Sequence, residues 1–481
     1  MSSVKTNYIL NLVNTISGML FPLLTFPYAS RIMQADGIGQ VNFYGSIISY
    51  VSLLTCLGIP MYAIRETARI RDNEKELNKT TVEILLLHTG LTVIGYLIVA
   101  ILCLTVKEIR TDIPLFLVMS SNILFVAIGC EWFYQGMENF KYITIRGLVV
   151  KAISVVLLFL LVKTKDDLLL YGIYTVVGAV GGNIFNFVRL RKYIKPRLLQ
   201  LKELHPLRHL KPALHIFVLN LVVSIYLNLD TVMLGFLKNT AAVGYYTGAT
   251  KLTKMLLGIV NSLGTVMIPR LSNLIRNHQE EEFHRLSQKA VDFVVMLSIP
   301  LCLGLIILSA PLIHLFCGPS YEPAIMTLNI ISPILLIIAL SNVMGMQILF
   351  PQGKENFVIM ATAIGAVVNF TLNYILIPKY AQDGAAVATV CAEFCVTLSM
   401  AFIGRRYLHV TFLSKHVLFC ILSALMMFAI GWYLHSIIAS NIIQICLIPF
   451  TCAVTYGLSL WLLKDKFIMD IINENILKRI K

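Results

Sequence analysis

Apolar runs of about twenty residues and more, parted by short polar connections, leave this chain few folds to choose from. A bilayer core about 30 Å thick takes roughly 20 residues of α-helix to cross. Within it no water satisfies backbone N–H and C=O groups, so a spanning chain is helical or closes into a barrel. The runs show no period-two alternation, which decides for helices. Charge agrees: 13% of the 481 residues are Asp, Glu, Lys or Arg, against about 25% in a soluble domain. The fold class is therefore an all-α polytopic membrane protein.

About fourteen spans are expected: Asn7–Ala29, Gln40–Ala63, Thr80–Val106, Ile113–Met137, Lys141–Val162, Asp167–Val188, Ala213–Leu237, Ala242–Pro269, Ala290–Phe316, Ala324–Phe350, Phe357–Ile377, Gly384–Gly404, Lys415–His435 and Asn441–Leu463. An even number puts both termini on one side. Of the 39 Lys and Arg, 29 fall on that side and seven on the other. That asymmetry orients both termini to the cytoplasm. It also accounts for the net charge of +14 without a nucleic-acid partner, since the basic residues sit in alternate loops rather than on one soluble face. The ten cysteines lie mostly inside apolar runs with no CxxC pair, so neither a metal site nor a disulfide framework is expected, and no cofactor. The first apolar run reads as an uncleaved span. No GxxxxGK[ST] loop is present, which argues against nucleotide-driven pumping.

The largest basic loop, Arg189–Lys211, falls between the sixth and seventh spans. It divides the chain into an N-terminal six-helix bundle (1–190), a basic cytoplasmic linker (191–211), a C-terminal six-helix bundle (212–405), two additional spans (406–463) and a cytoplasmic tail (464–481) that alternates charged and apolar residues. Asn11-Leu-Val followed by Gly39, and Asn220-Leu-Val followed by Gly244, hint at a parallel duplication of the two bundles.

Charges inside spans mark the candidate site. A charge near the bilayer centre costs about 2.5–3.5 kcal/mol even on lenient scales, so it faces protein or water. The hairpin Ala213–Pro269 carries Asp230 on one helix and Lys251 and Lys254, three apart on one face, on the next. Gly244, Gly248 and Gly258 permit close backbone approach there. Asp230 reads as the partner of Lys251 or Lys254, or as a proton or sodium site. Lys151 lies deep in the fifth span, one turn from Gly147. Glu131, near the cytoplasmic end of the fourth span, either pairs locally with Lys141 or Arg146 or belongs to the site. Arg31 ends the first span at the outer face, as an anchor or a contact. Glu393 sits midway along the twelfth span among Ala388, Thr389, Ala392 and Thr397, as a protonated buried acid or an ion-coupling group.

Several separate blocks carry a resemblance. Glu131-Trp-Phe-Tyr-Gln-Gly-Met-Glu-Asn-Phe-Lys-Tyr, Ile64-Arg-Glu-Thr-Ala, Gln347-Ile-Leu-Phe-Pro-Gln-Gly-Lys-Glu-Asn, and Asn369-Phe-Thr-Leu-Asn-Tyr-Ile-Leu-Ile-Pro with Asp383-Gly-Ala-Ala resemble the bacterial polysaccharide flippases. These belong to the multidrug/oligosaccharidyl-lipid/polysaccharide exporter superfamily. The resemblance implies two pseudo-symmetric six-helix bundles around a central cavity plus two C-terminal helices, in the bacterial inner membrane. It also implies alternating access for an undecaprenyl-pyrophosphate-linked oligosaccharide, with no catalysis. Lys251, Lys254, Lys151 and Arg31 would then meet the pyrophosphate, and Asp230, Glu393 and Glu131 would serve as cavity acids. Implied partners are the lipid-linked glycan, membrane lipid, a polysaccharide polymerase and a chain-length regulator, around a monomer. The alternatives are a cation-coupled multidrug exporter of the same superfamily and, from another class, a membrane polysaccharide polymerase. The few intramembrane carboxylates and the absence of a sizeable extramembrane loop count against these two.

Overall fold

The computed structural model describes the backbone of residues 4–195 and 201–472. Every regular element among the described residues is helical, and the contacts divide the chain into two compact units, Met1–Gly244 and Tyr245–Lys481.

The N-terminal unit contains α1 (Val4–Cys56), α2 (Ile59–Ile70), α3 (Glu74–Thr105), a single turn α4 (Lys107–Arg110), α5 (Ile113–Gly129), α6 (Glu131–Gly136), α7 (Phe140–Leu161), α8 (Leu168–Val180), α9 (Gly182–Leu190) and α10 (Leu210–Leu237). α1 is its axis, packing on α3, α5, α7 and α10. Helix α11 (Thr240–Arg276) starts in this unit and runs on into the second. There follow α12 (Glu280–Ile307), α13 (Ser309–Phe316), α14 (Ala324–Ile331), α15 (Ile334–Asn342), a π-helical stretch Val343–Leu349, α16 (Glu355–Ile403), α17 (Lys415–Ile437), α18 (Asn441–Leu462) and α19 (Lys466–Ile472). Here α12 packs on α15 and α17, and α17 on α18.

Eight helices among the described residues are long and apolar enough to cross a membrane, or eleven if each bent pair is one span. Continuity of the helices accounts for part of the distance from fourteen. The 49-residue α16 counts once but carries both the eleventh and twelfth expected segments, and α1 likewise carries the first and most of the second. Each long helix is broken at one residue, Gln34 (φ 54°) in α1 and Ala381 (φ 49°) in α16. Both breaks stand two residues before the Asp of an Asp-Gly pair, and both aspartates accept a threonine hydroxyl: Asp36 from Thr240, and Asp383 from Thr327 at 2.6 Å. Each carboxylate thus ties the broken helix to a threonine of another helix.

Helix starts follow local chemistry. Asn73 Oδ1 accepts from Glu76 N at 3.2 Å, Asp112 Oδ1 from Leu115 N at 3.0 Å, and Ser414 Oγ from Val417 N at 3.3 Å. The Glu131 block folds as the short α6, set off from α5 by Cys130 in the left-handed region. Trp132, Phe133 and Tyr134 are buried in a core with Ile59, Tyr62, Ile143 and Leu190, and the Tyr134 hydroxyl donates to Asn186 O at 2.7 Å.

The end of the linker, from His205 to His209, is clamped onto α3. Glu83 on α3, fully buried, accepts from Arg208 Nη2 at 2.6 Å, from His209 Nε2 at 2.9 Å and from the His205 amide at 2.8 Å. His209 Nδ1 faces the Tyr62 hydroxyl at 2.7 Å. Burial holds the His209 imidazole below its ordinary range against the pull of Glu83. The neutral ring then donates to Glu83 and accepts from Tyr62. Removing a buried carboxylate from such a set strands its partners. Glu83→Ala is therefore expected to cost about 2–4 kcal/mol in thermal unfolding of the purified protein. Glu74→Ala, whose contact with Lys195 is 3.9 Å and largely exposed, should leave it unchanged. Because the folded state disfavours His209 protonation, the clamp should hold above the ordinary imidazole range and weaken as pH falls through it.

Candidate functional site

In the N-terminal unit, α7 carries a polar ladder up an otherwise apolar helix. Lys151 Nζ donates to Ser17 Oγ of α1 at 2.9 Å, beside Gly18, whose missing side chain leaves the ammonium room. One turn and a half earlier, Arg146 Nη2 meets Glu131 Oε2 at 2.8 Å, and Gln135 Nε2 donates to the other Glu131 oxygen at 3.3 Å. Arg146 is nine-tenths buried and lies over Gly182 of α9, where a Cβ would come within 3.0 Å of its Nε. Lys151 is within electrostatic reach of both Glu131 and Arg146. Next to them the Arg189 guanidinium stacks 4.0 Å over the Tyr142 ring. The structure thus brings together Lys151 and Glu131 and resolves Glu131's pairing in favour of Arg146.

The remaining candidates of this unit lie on other helices. Arg31 is exposed, and its Nη1 donates to Pro27 O of its own helix at 2.7 Å. Asp230, half-buried on α10, acts electrostatically on Tyr50 of α1.

In the second unit, Lys251 is half-buried on α11 and Lys254, one turn on, is exposed. Cys317 lies within electrostatic reach of Lys251. The helix runs close to this region because residue 248 is glycine: a Cβ there would sit 3.1 Å from the Tyr321 ring and 3.2 Å from Cys317 Sγ. The Tyr246 hydroxyl lies 2.9 Å from Thr389 Oγ1, joining α11 to α16. Glu393, half-buried one turn beyond Thr389, takes a hydrogen bond from Thr397 Oγ1 at its carbonyl, 2.9 Å away. No cluster of three or more metal-ligating side chains occurs among the described residues.

Three features escaped reading from the sequence. Ser17 and Arg189 have ordinary settings in sequence, a serine in an apolar run and a basic span end, and only the fold shows their partners. Glu83 did carry a signal, being a carboxylate inside the third apolar run.

A profile described as polysaccharide biosynthesis protein matches residues 4–275. The chain belongs to the polysaccharide biosynthesis protein family. A second profile, described as lipid II flippase MurJ, matches residues 146–451 of this family member. Among curated proteins, one of Escherichia coli (strain K12) named for O-antigen transport is 25% identical over 84% of this chain and 97% of its own. Among solved structures, the lipid II flippase MurJ in an inward closed conformation superposes with a TM-score of 0.74 at 17% identity, covering 97% of this chain and 99% of that one. An inward-facing multidrug resistance MATE transporter superposes at 0.62 with 13% identity, covering 81% of this chain and 98% of that one. At these identities the two structures speak to the fold. It is the all-helical fold of the multidrug/oligosaccharidyl-lipid/polysaccharide superfamily, and this polysaccharide biosynthesis protein is a transporter of that superfamily, not an enzyme.

Proposed function

We propose that this protein flips an undecaprenyl-pyrophosphate-linked oligosaccharide repeat unit from the cytoplasmic to the outer leaflet of the bacterial inner membrane by alternating access, for surface polysaccharide synthesis. The observation that carries the reading is a lysine within an apolar helix of each unit, Lys151 and Lys251, in a chain of the polysaccharide biosynthesis family. A pyrophosphate leaving the leaflet surface loses hydration, and a cation about 4 Å away at an effective dielectric near 20 returns about 4 kcal/mol. Lys151, Lys251, Lys254 and Arg31 are the proposed head-group contacts. Asp230, Glu393 and Glu131 are the proposed acids, with Glu131 acting through Arg146. The glycan travels in water while the polyprenyl tail stays in lipid.

The proposed topology has fourteen spans, in two six-helix bundles and two further helices, with both termini cytoplasmic. The proposed assembly is a monomer that works beside a polymerase and a chain-length regulator. A drug exporter on the same fold would need a cavity rich in carboxylates, and the basic balance inside the apolar helices disfavours it.

Two measurements test the reading. In a strain lacking its own flippase, this chain should restore surface polysaccharide, and without it the lipid-linked oligosaccharide should collect on the cytoplasmic leaflet. Lengthening of the glycan by the purified protein would instead make it a polymerase. In a background without the ten native cysteines, Asp72→Cys should be shielded from an impermeant thiol reagent in intact cells and Lys238→Cys labelled. The reverse pattern would invert the topology.

A further inference from the structure

A groove of about 600 Å³ opens where α2 meets the start of α10, lined by Arg65, Lys211, Pro212, Leu214, His215 and Ile216. None of these six side chains is acidic, and Glu66 reaches the Arg65 guanidinium only at 4.0 Å. Lys211 and His215 are four apart and share a face of α10. The neighbouring Arg208 guanidinium and the neutral His209 imidazole are already engaged by Glu83, so the groove's basic groups are a separate set.

Its walls are held firmly. Gly58, at φ 75°, sits so close to α10 that a Cβ would come within 2.6 Å of Ala213 O and 2.9 Å of Phe217 N. The clamp on Glu83 fixes the chain immediately before α10. Apolar surface continues from the basic groups: Met61, one turn before Arg65, is 63% exposed and Leu214 is 45% exposed.

We propose that this groove binds the phosphodiester head group of an anionic glycerophospholipid, with its acyl chains over Met61 and Leu214. Basic pockets between membrane helices suit such head groups. Magnitude selects the occupant. Each Lys or Arg at a membrane surface enriches an anion about fivefold, so Arg65 and Lys211 together give roughly 30-fold. Enrichment of that size fills a site only when the ligand is abundant around it, as a bulk leaflet lipid is and a carried substrate is not. A dissolved phosphate would leave the apolar flank unused. The bound head group would sit between the two cations as their shared counter-ion and tie α2 to α10.

Native mass spectrometry of the full chain in detergent, with added dioleoyl-phosphatidylglycerol or dioleoyl-phosphatidylcholine, reads this directly. The parent should retain the anionic lipid roughly tenfold or more over the zwitterionic one. Arg65→Gln/Lys211→Gln should bring the two close to equal, and each single change should lower the preference by about fivefold. Those single variants carry the test if the double variant does not accumulate. Arg285→Gln, an exposed arginine on α12, should leave the preference intact. Three results would overturn the proposal: equal retention of both lipids by the parent, an unchanged preference in the groove variants, or a matching loss in Arg285→Gln. Displacement of phosphatidylglycerol by a tenth as much undecaprenyl pyrophosphate would also overturn it, by assigning the groove to the carrier lipid.

Discussion

Gly39→Ala is expected to prevent this protein from accumulating as a monodisperse membrane protein. A Cβ at that position would lie 1.7 Å from Thr240 O and 2.8 Å from Gly244 N, and one on Gly244 would lie 1.9 Å from Ala35 O. The obstructing atoms are backbone, so no side chain can turn aside. The helices would have to separate by more than an ångström along a contact that packs glycine against carbonyl. Overpacking of this kind costs about 1–3 kcal/mol or more, and here both partners are rigid, which puts it at the upper end. Gly90→Ala is the contrast. Nothing lies within 4 Å of a Cβ there, and alanine is preferred to glycine inside a helix by about 0.5–1 kcal/mol. Size-exclusion profiles and thermal unfolding of the two variants should therefore move in opposite directions. A Gly39→Ala protein that unfolds at the parental temperature would mean that the helices part at no cost.

Lys151→Ala and Lys251→Ala should each cut export by roughly 30- to 150-fold, corresponding to about 2–3 kcal/mol for losing one partner of a desolvated charge pair. Lys151→Ala leaves Ser17 with no ammonium to hold, but a serine hydroxyl is easily satisfied by water, so membrane levels should stay normal. Lys151→Arg keeps the charge but replaces a compact donor by a planar fork, and should retain part of the activity. Restored surface polysaccharide in the flippase-deficient strain, measured at equal membrane abundance, reads the outcome. Export at the parental rate by both alanine variants would sink the cationic mechanism while leaving the family assignment in place. Glu131→Gln separates the roles further: it releases Arg146, which is nine-tenths buried, and should therefore lower stability as well as transport.

The fold class was legible because lipid imposes one rule on every residue, and an apolar run of twenty states compliance with it. The extents of α10 and α11 were legible for the same reason, and Gly244 does stand at a close backbone approach, made to Ala35 of α1. Partners were less legible. Glu131 could be placed beside Lys141 or Arg146 by spacing, but choosing between them needed the bend at Cys130 that sets the start of α6. Ser17 is 134 residues from Lys151, and nothing local in either segment announces the other. The breaks at Gln34 and Ala381 were hidden in another way. The usual mark of a break is glycine or proline at the turning residue, and here non-glycine residues take the left-handed conformation while the glycine follows three residues later.

The clamp on Glu83 has a bearing on how such a chain could be cut or grafted. Charge alone suggests that the segment between the sixth and seventh apolar runs is a spare tether. Yet its last residues before α10 are held by α3, and α10 itself packs on α1. A protein split upstream of His205 would leave the second fragment carrying an arginine and a histidine that belong in the first fragment's carboxylate pocket. The two pieces would thus possess a built-in means of finding each other. A split made after Lys211 would discard it.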